Sequence, residues 1–419
     1  MGASTVDGTA REAVGSACAE VRDAEPGDAV DGVAPAVVAA PTDTQQVSDV
    51  LRAAAAHGLT VVPRGRGTKL SWGLPPTHAD VLLDLSALDR VLDHAAGDLI
   101  TVTQAGTRLA DLQATVAEGG QRLALDETVP GASIGGSLAT NASGAHRVAT
   151  GTARDLLIGI TIVRADGVIA KAGGRVVKNV AGYDLGKLMV GSFGTLGVVT
   201  EAVFRLHPTP VAQRWVSTTV HEPGRAHELV QAVLHGQAVP AAIEVEWPED
   251  RDGTLSVLLE GREDGVEGRA ATVGSLLGDE ARQSSEDPAA GTTYPWDTAA
   301  TGDDRATALK LTFALSGLAE VLTVARETGL RLRGSAGAGV AYGALPPGTP
   351  VDTVSDALRR VRQTCIRAGG SAVVVDAPAD VKAAVDVWGP VPALDLMLRV
   401  KDQFDPDRRL APGRFVGGI

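Results

Sequence analysis

Fourteen of the residues between 131 and 197 are glycines, roughly one residue in five against about 7% in ordinary proteins. Glycine loses more conformational freedom on folding than any other residue, so this density marks backbone that needs positive φ or must lie close to something. The glycines sit between apolar strand-like runs, Leu157 to Val163 and Val198 to Val203. A flexible linker lacks such runs. The segment reads as a folded domain that wraps its main chain around a large, flat, polar ligand.

A second glycine loop precedes it. Val61-Val62-Pro63 reads as the end of a strand, and Arg64-Gly65-Arg66-Gly67-Thr68-Lys69-Leu70-Ser71-Trp72-Gly73 follows. Successive N–H groups in a glycine turn form an anion-binding nest. Arg64, Arg66 and Lys69 bring cations to that turn in a chain of formal net charge −13, and a diphosphate is the expected guest. The bland alternative is a solvated basic turn. No Gly-Lys-Ser/Thr closes a GxxxxGK[ST] spacing, and after Gly65 and Gly67 the third fingerprint position holds Leu70. Neither a Walker site nor a Rossmann helix end is present.

The chain of 419 residues predicts two or three structural units. Hydrophobic residues make up 44% but aromatics only 3%, so its cores must rest on Ala, Val and Leu. No apolar run of about 18 residues predicts a transmembrane helix, and the N-terminus lacks a basic-then-apolar signal. Cys18 and Cys365 stand far apart and outside any CxxC, which argues against an iron–sulfur cluster or a disulfide framework in this chain. The acidity argues against nucleic-acid binding. Cytoplasm is the expected compartment.

Residues 1–30 hold six acids against two arginines and lack an apolar period, so a mobile or weakly helical arm is expected there. Ordered structure is expected from Ala36-Val37-Val38-Ala39 onward. Thr42 with Gln45 suggests a capping box, Val47, Val50, Leu51, Ala54 and Ala55 follow at helical spacing, and Gly58 sits at a C-cap position. Strands are predicted over 59–63, 80–85 and 98–104, with a helix over 107–118. Leu206-His207-Pro208-Thr209-Pro210 marks a boundary. Beyond it, strand-like segments (242–247, 255–259) interleave with helical ones (225–235, 266–277, 352–368), as in a sheet covered by helices. Residues 282–304 read as an exposed loop and 392–403 as a final helix.

At this point the residues carry a resemblance. Pro63 to Thr68, Ile134 to Gly144 (IGGSLATNASG) and Gly191 to Glu201 (GSFGTLGVVTE) resemble the PCMH-type FAD-binding domain of the vanillyl-alcohol-oxidase superfamily. Within it the chain is similar to the FAD-binding accessory subunits of bacterial glycolate oxidases, through Gly174 to Leu185 (GRVVKNVAGYDL), Asp386 to Pro390, Phe404-Asp405-Pro406 and Pro412 to Ile419. The resemblance is strong over about 34–210 and again over about 372–419. It implies an α+β protein: an arm over 1–33, an FAD-binding domain of two α/β subdomains over 34–210, a second α+β domain over 211–385, and a segment 386–419 returning to the flavin domain.

The resemblance also divides the work of holding FAD. Arg64, Gly65, Arg66, Gly67 and Thr68 are expected at the diphosphate, with Lys69, Trp72, Gly73 and Pro130 also at the cofactor. Ser133, Ile134, Gly135, Gly136, Thr140, Asn141, Ser143 and Gly144 are expected along ribityl and isoalloxazine, and Gly194, Gly197 and Val198 at the adenine end. Gly135 and Gly136 equally suit close helix packing, and Gly194 and Gly197 plain turns. Relatives that tether FAD often use a histidine where this chain has Thr68, Lys69 and Leu70, so a non-covalent flavin is expected. His146 is the one histidine inside a flavin motif; solvation is its expected state, although its pKa would suit proton transfer.

One absence matters. Catalytic flavin subunits of this superfamily carry an HxHxGDGN-like segment in the second domain, and the nearest match here is Arg333-Gly334-Ser335-Ala336-Gly337-Ala338-Gly339-Val340, without histidine or carboxylate. No metal site is expected, and no base is assigned, although removing an alcohol proton needs one. Arg333, Lys310 and Arg331 could hold a carboxylate; surface solvation is the expected role of each. Three readings follow. One is the FAD-binding subunit of a glycolate-oxidase-like complex, working beside a catalytic flavin subunit and an iron–sulfur subunit on small 2-hydroxy acids, cytoplasmic or peripheral to the inner membrane through the complex. The second is a free-standing FAD oxidase or dehydrogenase of a hydroxy acid or sugar-derived alcohol. The third is a flavin-free scaffold.

Overall fold

Local chemistry at Thr42 to Gly58 sets the first helix. It runs Thr44–Ala56 with Asp43, not Thr42, as its N-cap: the Asp43 carboxylate accepts from the Gln46 amide at 2.8 Å. Gln46, rather than Gln45, reaches back to Thr42. The box is shifted by one residue because an aspartate caps at least as well as a threonine. Val47, Val50, Leu51 and Ala54 form the buried stripe, and Gly58 follows the C-cap at φ +65°, a conformation open to glycine at little cost.

The structure, a computed structural model, describes residues 6–175, 184–288 and 293–419. Most of the Gly174 to Leu185 motif lies outside the described residues. The chain divides into two compact units, one of residues 1–142, 152–209 and 391–419, the other of 143–151 and 210–390.

The first unit contains two sheets. Val21–Asp23, Val37–Ala39, Val81–Asp84 and Val61–Arg64 lie in that order in a four-stranded sheet, parallel except for the first pair. Its core joins Val37, Val47, Leu51, Val61 and Leu83 to Val198 and Leu410. Val91–Ala95, Ile100–Gln104, Val198–Arg205, Leu157–Val163 and Ile169–Gly173 form a five-stranded antiparallel sheet. The helices Leu109–Ala117 and Ile134–Thr140 bury Leu109, Leu112, Ile134 and Leu138 against Phe204 and Ile162 of that sheet's core. These are the two α/β subdomains the resemblance implies.

Residues 6–33 depart from the expected mobile arm. Gly8–Ala17 is a helix capped by Asp7, with Ala10 and Val14 in the core of the four-stranded sheet. Val21–Asp23 pairs with Val37–Ala39 as an edge strand. Asp28 is buried and accepts from both Arg22 and Arg64. Two small apolar residues four apart anchor this helix, a signal too sparse to stand out in an Ala/Gly-rich stretch.

The second unit is built on an eight-stranded antiparallel sheet, in the order Arg282–Ser284, Ala212–Val220, Gly253–Gly261, Ala242–Trp247, Arg331–Ser335, Val340–Leu345, Thr307–Thr312, Ser371–Asp376. Strand alternation gives it two unlike faces. Val216, Val257, Ile243, Val245 and Leu332 share the apolar face, and the helices Pro223–His235, Glu263–Leu277, Leu318–Glu327 and Val351–Arg367 supply buried stripes of their own. The other face carries Ser217, Ser256, Glu244 and Ser335 in one register row, and Glu246, Arg333, Tyr342 and Lys310 in the next.

Two expectations in this unit are corrected. Arg333 is not solvated: its side chain is 11% exposed and its guanidinium meets Glu246 at 3.2 Å. Residues 282–304 are not wholly an exposed loop. Arg282–Ser284 is an edge strand, and Tyr294 is buried, stacked on Trp296 at 4.6 Å between centroids and edge-on to Tyr342 at 4.7 Å.

Candidate functional site

The strand Val61–Arg64 delivers its last residue to the glycine loop. From there the amides of Gly65, Arg66, Gly67, Thr68 and Lys69 donate to no protein acceptor among the described residues. The loop closes only at Leu70, whose amide donates to Gly67 O at 3.2 Å. Five consecutive amides without protein acceptors are the donors that an anion-binding nest requires. Gly67 sits at φ +75°, a region where a side chain is strained. At Gly65 a Cβ would land on the Ser133 hydroxyl, so this loop and the helix Ile134–Thr140 approach only through a glycine.

The cations of the loop are not equivalent. Arg64 donates to Asp28 at 2.9 Å and to Asp84 at 2.6 Å, and its side chain is 15% exposed. Two carboxylates already neutralise it. Burial opposes the charge of Arg64 while those two partners raise its pKa; Asp28 is held well below the usual carboxylate range, chiefly by Arg22. Arg66 donates to Gly106 O at 3.1 Å and faces Asp89 at 3.6 Å. Arg414 donates to Leu70 O and Trp72 O at 2.6 and 2.7 Å, which fixes the far end of the loop. Lys69 differs from all three. It is 7% exposed, its ammonium has only the Thr68 hydroxyl within reach at 3.4 Å, and no carboxylate pairs with it among the described residues. Burial pushes its pKa down to about 8, against the weaker opposing pull of Glu127.

Two adjoining cavities occupy this region of the first unit. One, partly open to solvent, is lined by residues 63–70 with Ser133, Gly136, Ala139, Thr140, Phe193 and Arg414. The other is lined by Leu85, Ala105, Gly135, Ser192, Gly194 and residues 197–199, and shares Pro63, Gly65, Gly136, Ala139 and Phe193 with the first. The Ser133 hydroxyl caps the helix Ile134–Thr140 by accepting from the Gly136 amide at 3.2 Å, and Thr140 donates to Gly136 O at 2.9 Å. A Cβ at Gly135 would press on Ala105, and one at Gly194 on the Pro63 ring at 2.7 Å. Glycine is needed here for close packing as well as for the cavity wall.

The structure therefore brings together Arg64, Gly65, Arg66, Gly67, Thr68, Lys69, Ser133, Gly135, Gly136, Thr140, Gly194, Gly197 and Val198 around the two cavities. Trp72, Gly73, Pro130, Ile134, Asn141, Ser143 and Gly144 are not among the lining residues. Trp72 contributes its carbonyl to Arg414, Ile134 belongs to the core, Pro130 is exposed, and Asn141 ends its helix at φ 48°. Ser143 and Gly144 fall in the second unit. Sequence reasoning missed Ala139, Phe193 and Arg414, as well as Pro63, Leu70, Leu85, Ala105, Ser192 and Val199. The ring of Phe193 stacks on Phe415 at 5.4 Å, so the tail Pro412 to Ile419 carried the signal.

In the second unit His146 is not a solvated loop residue. Its Nε2 lies 3.1 Å from Glu260 Oε1, with side chains 20% and 10% exposed. Its neighbour Arg147 donates to the Tyr342 hydroxyl at 3.2 Å and to Ser143 O.

A nest of free amides, a buried unpaired ammonium and two joined cavities suit a cofactor with an anionic middle and two extended ends, as FAD has. Comparison with known proteins agrees. Residues 35–173 match the FAD binding domain family. Glycolate oxidase subunit GlcD of Bacillus subtilis is 33% identical over 211 residues, 50% of this chain and 45% of that protein. D-2-hydroxyglutarate dehydrogenase of Xanthomonas citri is 37% identical over 177 residues, 42% of this chain and 38% of that one. D-lactate dehydrogenase of Archaeoglobus fulgidus is 36% identical over 172 residues, 41% and 39% of the two chains. The matched stretch spans less than half the length of each relative. Among solved structures, alkyldihydroxyacetonephosphate synthase superposes with a TM-score of 0.71 over 99% of this chain and 87% of that one, at 16% identity. Chitooligosaccharide oxidase gives 0.68 over 96% and 97%, also at 16%; likeness at such identity shows the fold. Over residues 35–173 this chain is thus similar to the FAD binding domain family.

Proposed function

We propose that the chain is the FAD-holding subunit of an oxidoreductase of glycolate-oxidase type, which converts small 2-hydroxy acids such as glycolate and D-lactate to 2-oxo acids. The observation that carries this reading is the loop of five free amides and one buried ammonium within an FAD-binding domain. When bound, FAD supplies the acceptor for the hydride of the alcohol carbon. The loop 65–69 with Lys69 would hold its diphosphate, and the glycine-walled second cavity would take one of its ends. Thr68, Lys69 and Leu70 offer no histidine for a covalent tether, so the cofactor is held without a bond to the chain. Relatives named for glycolate, D-lactate and D-2-hydroxyglutarate share one substrate chemistry, an alcohol next to a carboxylate, which motivates the substrate class.

Oxidising such an alcohol needs a base and cations for the acid. By the resemblance, Ser335, Ala336 and Gly337 stand where catalytic flavin subunits carry histidines, and Arg333 is already paired with Glu246. The reading therefore places a catalytic flavin subunit and an iron–sulfur subunit beside this chain, in the cytoplasm or peripheral to the inner membrane. No helix among the described residues is long and apolar enough to cross a membrane. One observation favours a second reading, a free-standing dehydrogenase: His146 with Glu260 behind it has the arrangement of an oriented base.

Heat or acid denaturation of the purified protein should release one FAD and leave none on the precipitated chain. Anaerobic mixing with excess glycolate or D-lactate should bleach the flavin very slowly, since lacking acid–base help costs about 10²–10⁴-fold. Rapid bleaching abolished by His146→Ala establishes the second reading in its place.

A further inference from the structure

We propose that Lys69, and not Arg64, is the cation that neutralises the cofactor's diphosphate, and that cofactor entry into the empty loop is coupled to uptake of a proton by this one side chain. The inference rests on the reading of the loop as the FAD site and assigns its charge. Arg64 is the sequence's obvious phosphate ligand, being the first cation of the loop. In the fold its guanidinium is spent: Asp28 and Asp84 hold it from two sides. Arg66 turns to Gly106 O and Asp89, and Arg414 turns to the carbonyls of Leu70 and Trp72.

Lys69 is buried on the cavity wall with only the Thr68 hydroxyl within reach, whereas Arg414, buried on the same wall, spends its donors on the carbonyls of Leu70 and Trp72. An ammonium without a counter-ion in a desolvated place is held at a cost, and a group in that position loses its proton more readily. The charged groups that face it are few. Glu127, from the segment before the helix Ile134–Thr140, acts on it from a distance and spends one oxygen on the Gly131 amide at 3.0 Å. Arg64 and Arg66 lie on its own loop, and Arg414 reaches in from the C-terminal segment. An incoming diphosphate, with two negative charges beside the nest, is the missing partner. Its arrival favours the charged form, so above the pH at which empty Lys69 sheds its proton, binding must take one up.

The test is FAD titration of the cofactor-free protein by quenching of flavin fluorescence at pH 7 and pH 9. Calorimetry at pH 9 in two buffers of different ionisation enthalpy, on the natural chain and on Lys69→Met, counts the protons. The natural chain should bind FAD about tenfold more weakly at pH 9 than at pH 7, and take up a proton at pH 9. Lys69→Met should bind at least tenfold more weakly at pH 7, lose the pH dependence and take up no proton. Methionine fills the same slot without charge, so the cofactor-free variant should melt no lower than the natural chain, which separates loss of binding from loss of fold. Binding by Lys69→Met within threefold of the natural chain at pH 7, or proton uptake that survives the substitution, overturns the assignment of Lys69 alone. Failure of the natural chain to bind FAD at all overturns the reading of the domain and this inference with it.

Discussion

The ammonium of Lys401 lies 2.7 Å from a carboxylate oxygen of Asp405, and neither side chain is exposed to solvent. The pair sits inside a complete hydrogen-bond set. Lys401 also donates to Thr195 O at 2.7 Å and Leu410 O at 3.1 Å, while Asp405 accepts from the amides of Arg409 and Leu410. One buried charge thereby ties the helix Leu394–Phe404 and the tail after it to the loop that precedes Val198. Removing one partner of such a pair leaves the other charge buried alone, which typically costs about 3–5 kcal/mol. Lys401→Met should therefore lower the unfolding free energy measured in urea by an amount in that range, and should weaken FAD binding through the displaced Gly194 to Gly197 wall. Unchanged stability would show that water reaches Asp405.

Arg64 supports a prediction opposite in kind to the usual one for a first loop arginine. Arg64→Met leaves Asp28 and Asp84 facing one another across a half-buried gap. It should cost about 3 kcal/mol of stability in denaturant unfolding without cofactor. The further substitution Asp84→Asn should recover part of that loss by removing the repulsion. A variant with natural stability and merely weaker FAD binding would mean that Arg64 serves the ligand after all.

Gly65 and Ser133 come from two glycine-rich motifs far apart in the chain, and the space between them has no room for a Cβ. Gly65→Ala should push the loop away from the helix Ile134–Thr140 and loosen the Ser133 cap on Gly136. Overpacking of this sort costs about 1–3 kcal/mol. Both FAD affinity and melting temperature should fall in Gly65→Ala, and the added change Ser133→Gly should restore FAD affinity more than it restores stability, because it clears the clash while deleting the cap. Natural affinity in Gly65→Ala, measured by fluorescence titration, would contradict the wall geometry.

What the sequence made legible here was the part written in local chemistry. Gly65, Gly67 and Lys69 announce a nest because three glycine- and cation-specific preferences coincide within five residues. Val47, Leu51 and Ala54 announce a helix because their spacing matches its turn. The identity of the working cation was hidden. Asp28 lies 36 positions from Arg64 and Asp84 lies 20 away, so nothing in the loop's own sequence says that its first arginine is already paired. Arg414 was hidden for the same reason, being 344 residues from the carbonyl that it holds. The helix Gly8–Ala17 escaped because alanine and valine four apart give too faint a period. His146 and Arg333 read as solvated because their partners, Glu260 and Glu246, arrive on strands distant from them in the chain.

Lys69 and Lys401 are both buried lysines, yet they predict different pH behaviour. Burial depresses both, and Asp405 opposes the effect at Lys401, whereas Lys69 falls from an ordinary 10.5 to about 8. A lysine depressed in the folded state is protonated more readily in the unfolded chain. Between about pH 8 and 10.5 the unfolded chain then binds more protons than the folded one, so this group makes the cofactor-free protein more stable as pH rises through that window. Below it, both states carry the charge and the folded state bears a burial cost of about 3 kcal/mol at most. Lys69→Met removes the cost. Without FAD, that variant should exceed the natural chain in unfolding free energy at pH 7 by about 2–3 kcal/mol, with the gap closing toward pH 10. Urea unfolding of both proteins at the two pH values measures the gap directly, and other titrating groups cancel in the difference. A gap that stays constant with pH would mean that Lys69 keeps its ordinary proton affinity and is reached by solvent. Adding FAD should reverse the sign, since a bound diphosphate gives the natural chain, and not the variant, the partner its ammonium lacks.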